Sequence, residues 1–208
     1  MDRGLKMAAD DRSKWNQRYH GEGLFHGSAP SRLLEQNMAL LESYIPGRRA
    51  LDLACGEGRN AIFLARRGFR VTALDIAEQG IEKGRRRAAE EGLEVDFQVM
   101  DLERDAIEGE FDLVLNVNFL LRGLIPGLVA HLSPGGLVFF LTILNTPAFA
   151  GGRNPAHLLE PGELEGVFAG FPGELLLSEE RPEGPSPSAL VIFRKAVNGG
   201  GAPGWISP

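Results

Sequence analysis

One stretch limits this chain more than any other: Leu51-Asp52-Leu53-Ala54-Cys55-Gly56-Glu57-Gly58-Arg59-Asn60. An apolar run enters a Gly-x-Gly turn and leaves it as an amphipathic segment that reaches Arg67. The pattern predicts strand, glycine loop and helix. Gly56 and Gly58 allow a tight turn and a close approach of backbone to a ligand. The first N–H groups of the helix lack intrahelical partners and can meet polar ligand groups. Two ligand classes fit this loop. Gly56 to Ala61 matches the dinucleotide pattern with Ala in the last position. Asp52, four residues before Gly56, suits a cationic group beside the loop instead.

From Ala50 onward the chain alternates strand and helix signals, which predicts an α/β sheet. Arg70–Asp75, Glu94–Met100, Phe111–Val117 and Leu137–Leu144 read as further strands. Ala77–Glu91 and Phe119–Leu132 read as helices, and Pro161–Phe168 as a short one. Leu175–Glu180 and Ala189–Arg194, joined by a Pro-rich loop, suit a final antiparallel pair better than another crossover unit. Before the sheet, Ser31–Tyr44 carries an apolar stripe of Leu33, Leu34, Met38 and Leu41. Ser13–Tyr19 is helical in pattern, with Trp15 and Tyr19 on one face, and glycines at 21, 23 and 27 follow. Met1–Asp11 and the Gly-rich end beyond Val197 are expected to be mobile. The segment 145–160 is rich in Gly, Pro and Asn and should border a ligand site.

Length and charge narrow the function. At 208 residues the chain is expected to hold one main domain. Its net charge of −6 lowers the prospect of a nucleic-acid partner. Arg85-Arg86-Arg87 is surrounded by glutamates and reads as a solvated, ion-paired face. Cys55 stands alone, which excludes an internal disulfide and a cysteine metal cluster. It reads as a small packing residue. No apolar run is long enough to span a bilayer, so a soluble cytoplasmic protein is expected.

Acids close several strands. Asp75, 19 residues after Gly56, stands where doubly wound sheets place the acceptor of ribose hydroxyls, with Ile76 beside it. Asp101 can accept from an adenine amino group while the Leu102 backbone meets the ring. Asn116 and Asn118 mark the carboxyl end of the fourth strand. His131 reads as a helix cap.

Glycine loop, second-strand acid, third-strand acid, Ser133-Pro134-Gly135-Gly136 turn and terminal strand pair come in an order that resembles the class I S-adenosylmethionine methyltransferases. The resemblance covers roughly Ala50 to Lys195. It implies a doubly wound, Rossmann-like seven-stranded sheet with an antiparallel final pair. It implies S-adenosylmethionine as cofactor, S-adenosylhomocysteine as product, and no metal. It divides the chain into an N-terminal covering segment (1–45), a cofactor-binding core (46–196) and a disordered tail (197–208). Asp52, Ala54, Gly56, Gly58 and Asn60 would hold the cofactor with Asp75, Ile76, Asp101, Leu102 and Asn116.

Trp15-x-x-x-Tyr19 followed by Phe25-His26 resembles the start of the thiopurine methyltransferases. Cys55–Asn60 is similar to the loop of the tellurite-resistance methyltransferases, and Glu160–Leu164 resembles both groups. This narrower likeness implies that Trp15, Tyr19 and Phe25 close over the cofactor. It also implies a small-molecule acceptor such as a soft sulfur, selenium or tellurium nucleophile, with His26, Asn116 and Asn118 as acceptor-pocket candidates. Asn116-Val117 replaces the Asp-Arg pair expected of thiopurine enzymes, which leaves the acceptor open. Two rivals remain: an NAD(P)-dependent oxidoreductase, and a non-catalytic cofactor-binding subunit for a partner enzyme.

Overall fold

The structure, a computed structural model, describes residues 2–147, 154–184 and 186–197. The expected tail beyond Val197 and the middle of the 145–160 segment lie outside the described residues. Helices α1 (Asp2–Tyr19) and α2 (Arg32–Tyr44) precede β1 (Arg49–Leu53) and α3 (Arg59–Arg66). Then come β2 (Arg70–Asp75), α4 (Glu78–Glu90), β3 (Val95–Val99), β4 (Phe111–Val117), α5 (Ile125–Ala130) and β5 (Leu132–Ile143). Helix α6 (Glu163–Ala169) and strands β6 (Gly173–Arg181) and β7 (Ser188–Lys195) complete the chain.

The seven strands form one sheet in the order β3-β2-β1-β4-β5-β7-β6. The first five run parallel, and β7 is antiparallel to both β5 and β6. Strand parity decides which residues meet which helices. Leu113, Leu115 and Phe139 face the layer of α2, α3 and α4, with Ala50 and Ile62. Leu51, Leu53, Val114 and Phe140 face the opposite layer, with Leu128 of α5 and Phe168 of α6. Every residue of β4 is buried, as expected of a central parallel strand covered on both faces. Strand order reverses between β1 and β4, so the crevice at their carboxyl ends is where a ligand would sit.

Three expectations need correction. The helix expected over Phe119–Leu132 is a 3-10 turn at Arg122–Leu124 followed by the short α5. Asn118 takes a left-handed conformation (φ 60°) that breaks the chain away from β4, and Pro126 fixes the helix start near Ile125. Strand β5 begins at Leu132 instead of Leu137, because the Ser-Pro-Gly-Gly segment is absorbed as an irregularity in its pairing with β4. Helix α1 reaches back to Asp2 and so is far longer than the Ser13 start implied. Among the described residues no helix is long and apolar enough to cross a membrane.

Candidate cofactor site

The site is built at the carboxyl ends of β1, β2 and β4. Ala54 (φ 48°), Gly56 (φ 57°) and Gly58 (φ 73°) turn the chain sharply between β1 and α3. Asp75, at the end of β2, braces that turn. One of its carboxylate oxygens accepts from the Gly56 N–H (2.7 Å) and the other from the Ala77 N–H (2.9 Å). Burial outweighs these bonds and raises its carboxyl above the usual range.

Asp52 shares the parity of Ala50 and so faces the α3 side of the sheet. It is 1% exposed, and its Oδ2 has no hydrogen-bond partner. Burial pushes its carboxyl up to about 7, with Asp75 adding repulsion, against the opposing pull of the Ala61 backbone and Arg59. A buried carboxylate oxygen with no partner is costly, and a ligand carrying a positive donor would relieve it. Cys55 is buried beside it with its thiol pushed up by desolvation, in keeping with a packing residue.

The glycines serve two different neighbours. A Cβ on Gly56 would stand 2.8 Å from the Tyr19 hydroxyl, so Tyr19 lies directly over the loop. A Cβ on Gly58 would stand 2.6 Å from the Phe97 ring, so a side chain there would displace the core. Gly80 and Gly84, four apart on α4, complete the fit: the first lies against the Gly56 carbonyl and Tyr19, the second against Phe97. The sequence reading passed over both. Two glycines at helical spacing were the available signal.

The N-terminal aromatic residues assemble as a group. Trp15 stacks on Tyr19 (5.6 Å between centroids), and Phe25 meets both rings edge-on. Burial, then the negative groups Asp75, Cys55 and Glu57, push the Tyr19 phenol far up, so it keeps its proton. His26 packs edge-on against Phe25 at 4.7 Å. Desolvation and the Arg59 guanidinium hold its imidazole below the ordinary range, although part of the ring reaches solvent.

Other expected residues are engaged by the protein itself. The Asn60 side-chain oxygen accepts from the Ser31 N–H (2.8 Å) and so ties α2 to the loop. Asp101 is buried, and its Oδ1 accepts from the Glu103 N–H, while its own N–H donates to Asp105. Leu102 is buried in the apolar layer below it. Asn116 is 1% exposed and its amide donates to the Phe119 carbonyl (2.7 Å). Ile76 is half-buried, and Asn118 stands exposed at the rim.

The arginine run is not a purely solvated face. Arg85 donates to the Phe97 carbonyl, and Arg87 donates to the carbonyls of Glu57 and Ser28. Glu57 itself, between the two glycines, is the residue sequence reasoning missed most plainly. It is 5% exposed and bonds Lys83 and the Phe25 N–H. Both partners lie more than 25 residues away, so spacing alone could not reveal them. Among the described residues, no group of three or more His, Cys, Asp or Glu is placed to hold a metal.

Comparison with known proteins bears on the family and the fold. A methyltransferase-domain family model matches residues 50–136, from β1 through the Pro-Gly-Gly turn. The ubiquinone biosynthesis O-methyltransferase of Bordetella avium is 30% identical over 162 residues, 72% of this chain and 67% of that protein. The enzyme of the same name from Nitrosococcus oceani is 37% identical over 110 residues, 50% of this chain and 47% of that protein. The match thus spans about half the length of several of these curated relatives. Among solved structures, TehB from Haemophilus influenzae superposes with a TM-score of 0.66 at 19% identity, over 88% of this chain and 66% of that one. Magnesium protoporphyrin IX methyltransferase from Synechocystis, with bound SAH, gives 0.68 at 16% identity, over 91% and 99%. At these identities the structural likeness concerns the fold.

Proposed function

The chain belongs to the class I S-adenosylmethionine-dependent methyltransferases, and from that membership we propose that it transfers a methyl group from S-adenosylmethionine to a small-molecule acceptor. The observation that carries the reading is the buried Asp52 with its unpartnered Oδ2 beside a glycine loop at the sheet's switch point. A pyrophosphate would be repelled there, whereas an ammonium donor would satisfy it. This counts against the nicotinamide-dependent rival.

When bound, S-adenosylmethionine supplies a methyl group activated on a sulfonium. Asp52 and the loop around Gly56 would hold its amino-acid end. Asp75 would take the ribose. Both its oxygens already accept one backbone N–H, yet each keeps a second lone pair. Asp101 and Leu102 would take the adenine, and Trp15, Tyr19 and Phe25 would cover it. Residues so arranged act by position, and alignment of reactants is worth on the order of 7 kcal/mol or more in favourable cases. No protein group has to form a covalent bond, and no metal is required by this scheme.

For the acceptor, the resemblance to thiopurine and tellurite-resistance enzymes supports a soft sulfur, selenium or tellurium nucleophile, which ionises without much help. One observation favours a second reading. His26, held below its ordinary pKa, is a neutral imidazole near neutral pH and could take a proton from a hydroxyl acceptor. The names of the curated relatives point the same way, to transfer onto oxygen.

Calorimetric titration with S-adenosylhomocysteine, NAD and NADP tests the cofactor. Micromolar or tighter binding of S-adenosylhomocysteine alone is expected, and binding of a nicotinamide cofactor alone would overturn the reading. Thiols, selenite, tellurite and phenolic hydroxyls then form the acceptor screen. Loss of turnover in His26→Ala on a hydroxyl acceptor, with cofactor affinity kept, would favour the second reading. Robust cofactor binding with no turnover on any acceptor would point to a non-catalytic subunit.

A further inference from the structure

The segment between α1 and α2 contains no regular structure, yet it is fastened to the glycine loop and α4 by a dense set of polar bonds. Lys83, on α4, uses all three of its ammonium protons. It donates to the carbonyls of Gly21 (2.8 Å) and Gly23 (2.7 Å) and to Glu57 Oε1 (3.0 Å). The other oxygen of Glu57 accepts from the Phe25 N–H (2.8 Å). The two side chains are 14% and 3% exposed, so this is a desolvated ion pair in which every donor and acceptor named has a partner. Arg59 and Arg87 add bonds to the carbonyls of His26 and Ser28.

Glu57 is the middle residue of the Gly-x-Gly turn. The group that fastens the strap is therefore part of the loop beneath the cofactor, and Phe25, which it fixes, belongs to the aromatic cluster above that loop. We propose that Glu57 and Lys83 form a clasp that holds residues 20–31 closed before any ligand arrives, so that cofactor enters and leaves by opening it. They are positioning residues. The inference rests on the cofactor reading above for what the strap covers, but the clasp itself can be tested without it.

A clasp shut in advance makes exchange slow in both directions while leaving the bound geometry unchanged. Breaking it would speed release, because charge-assisted bonds of this kind oppose opening. A side chain that only stabilised the fold would lower the melting temperature and leave the dissociation rate alone.

The experiment joins two readouts on the full chain. Amide exchange in the ligand-free wild type reports on Phe25 N–H, which should be protected at least about tenfold relative to an open loop. Stopped-flow displacement then gives the S-adenosylhomocysteine dissociation rate for wild type, Lys83→Met and Glu57→Gln. Lys83→Met should erase the Phe25 protection and raise the dissociation rate on the order of tenfold, and Glu57→Gln should do so less. An unprotected Phe25 amide in the wild type overturns the proposal, and this arm needs no variant to fold. Unchanged dissociation in a folded Lys83→Met protein also overturns it. Phe25 protection that Lys83→Met abolishes, in a protein that binds no S-adenosylhomocysteine, would uphold the clasp and refute the cofactor reading instead.

Discussion

Asp52 and Asp112 lie on neighbouring strands and are almost equally buried, at 1% and 5% exposure, yet their surroundings are opposite. Asp112 is at the amino end of β4. It accepts from the Arg49 backbone N–H (2.9 Å), from the Arg49 guanidinium (3.0 and 3.2 Å) and from the Ser133 hydroxyl (2.8 Å). Burial pushes its carboxyl up, but these donors outweigh burial and hold it below the usual range. Asp52 is near the carboxyl end of β1, keeps one oxygen unpartnered and is driven up to about 7 by burial. One end of the sheet satisfies its carboxylate from within the protein, and the other end leaves one to be satisfied from outside. On the cofactor reading proposed above, that asymmetry separates a group kept for folding from a group kept for a ligand.

The largest effect should come from the satisfied end. Asp112→Ala leaves Ser133 and the Arg49 backbone without their acceptor, and should cost about 3 kcal/mol in urea unfolding. That is the lower edge for a buried pair, since the Arg49 side chain is 41% exposed. S-adenosylhomocysteine affinity should stay within about twofold. A comparable loss of affinity would show that the two ends are coupled and that the contrast is false.

Asp52→Asn should do the reverse. Cofactor-product affinity should fall by roughly tenfold to a hundredfold, the worth of a charge-assisted bond, while the ligand-free protein unfolds no more easily than the wild type. Calorimetry and urea unfolding on the same preparation read both quantities. A clear drop in stability with affinity intact would assign Asp52 to folding.

pH separates the two aspartates again, with opposite sign. Asp52 titrates higher in the fold than in the unfolded chain, and Asp75 is raised in the same direction. Their protonated forms therefore favour the ligand-free fold, and stability should fall as pH climbs from the ordinary carboxylate range through about 7. Each proton contributes a slope of at most about 1.4 kcal/mol per pH unit. Asp112 is depressed, so its contribution is present above the ordinary carboxylate range and fades as pH falls through its lowered folded value. His26, lowered in the fold, adds stability as pH climbs to the ordinary histidine value and so opposes this trend. The Asp52 part is isolated by the difference between wild type and Asp52→Asn, and that difference in urea midpoint should move against the wild type from about pH 5 to about pH 8. A difference between wild type and Asp52→Asn that stays constant over this window would contradict the raised Asp52.

The same contrast explains how much the sequence disclosed. Strands β2 and β4 were legible to the residue, Arg70–Asp75 and Phe111–Val117, because apolar runs there end abruptly at acids, Gly or Asn. Asp52 and Asp75 stood out in the sequence by their distance along the chain from the glycine loop, and both are buried beside it. Asp112 carried no such signal: its partner Arg49 lies 63 residues away, and only strand register joins them. Glu57 was hidden for the same reason. Asn60 and Asn116 were expected at the ligand; their side chains also bond Ser31 and Phe119, contacts that depend on where loops lie against the sheet and that spacing does not reveal. The α5 region was misread because Pro126 and the left-handed Asn118 outweigh an apolar pattern that would otherwise extend a helix.

The smallest expected effect tests whether the ligand end contributes to stability at all. Helix α4 begins at Glu78, and the N-cap Ala77 has no polar side chain to cap it. Asn16, from α1, supplies the cap across the chain: its oxygen accepts from the Gln79 N–H (2.9 Å) and its amide donates to Glu78. Asn16→Ala should cost about 1 kcal/mol or less, because water can reach these exposed groups when the cap is removed. Thermal unfolding measures it. A loss near that of Asp112→Ala would mean that α1 is an integral part of the core and that stability is spread evenly over both ends of the sheet. A small loss leaves α1 as a cover held over the loop by the buried Tyr19, with polar bonds only at its margin. The carboxyl end can then open for a ligand while the amino end, fastened by Asp112, Arg49 and Ser133, keeps the sheet intact.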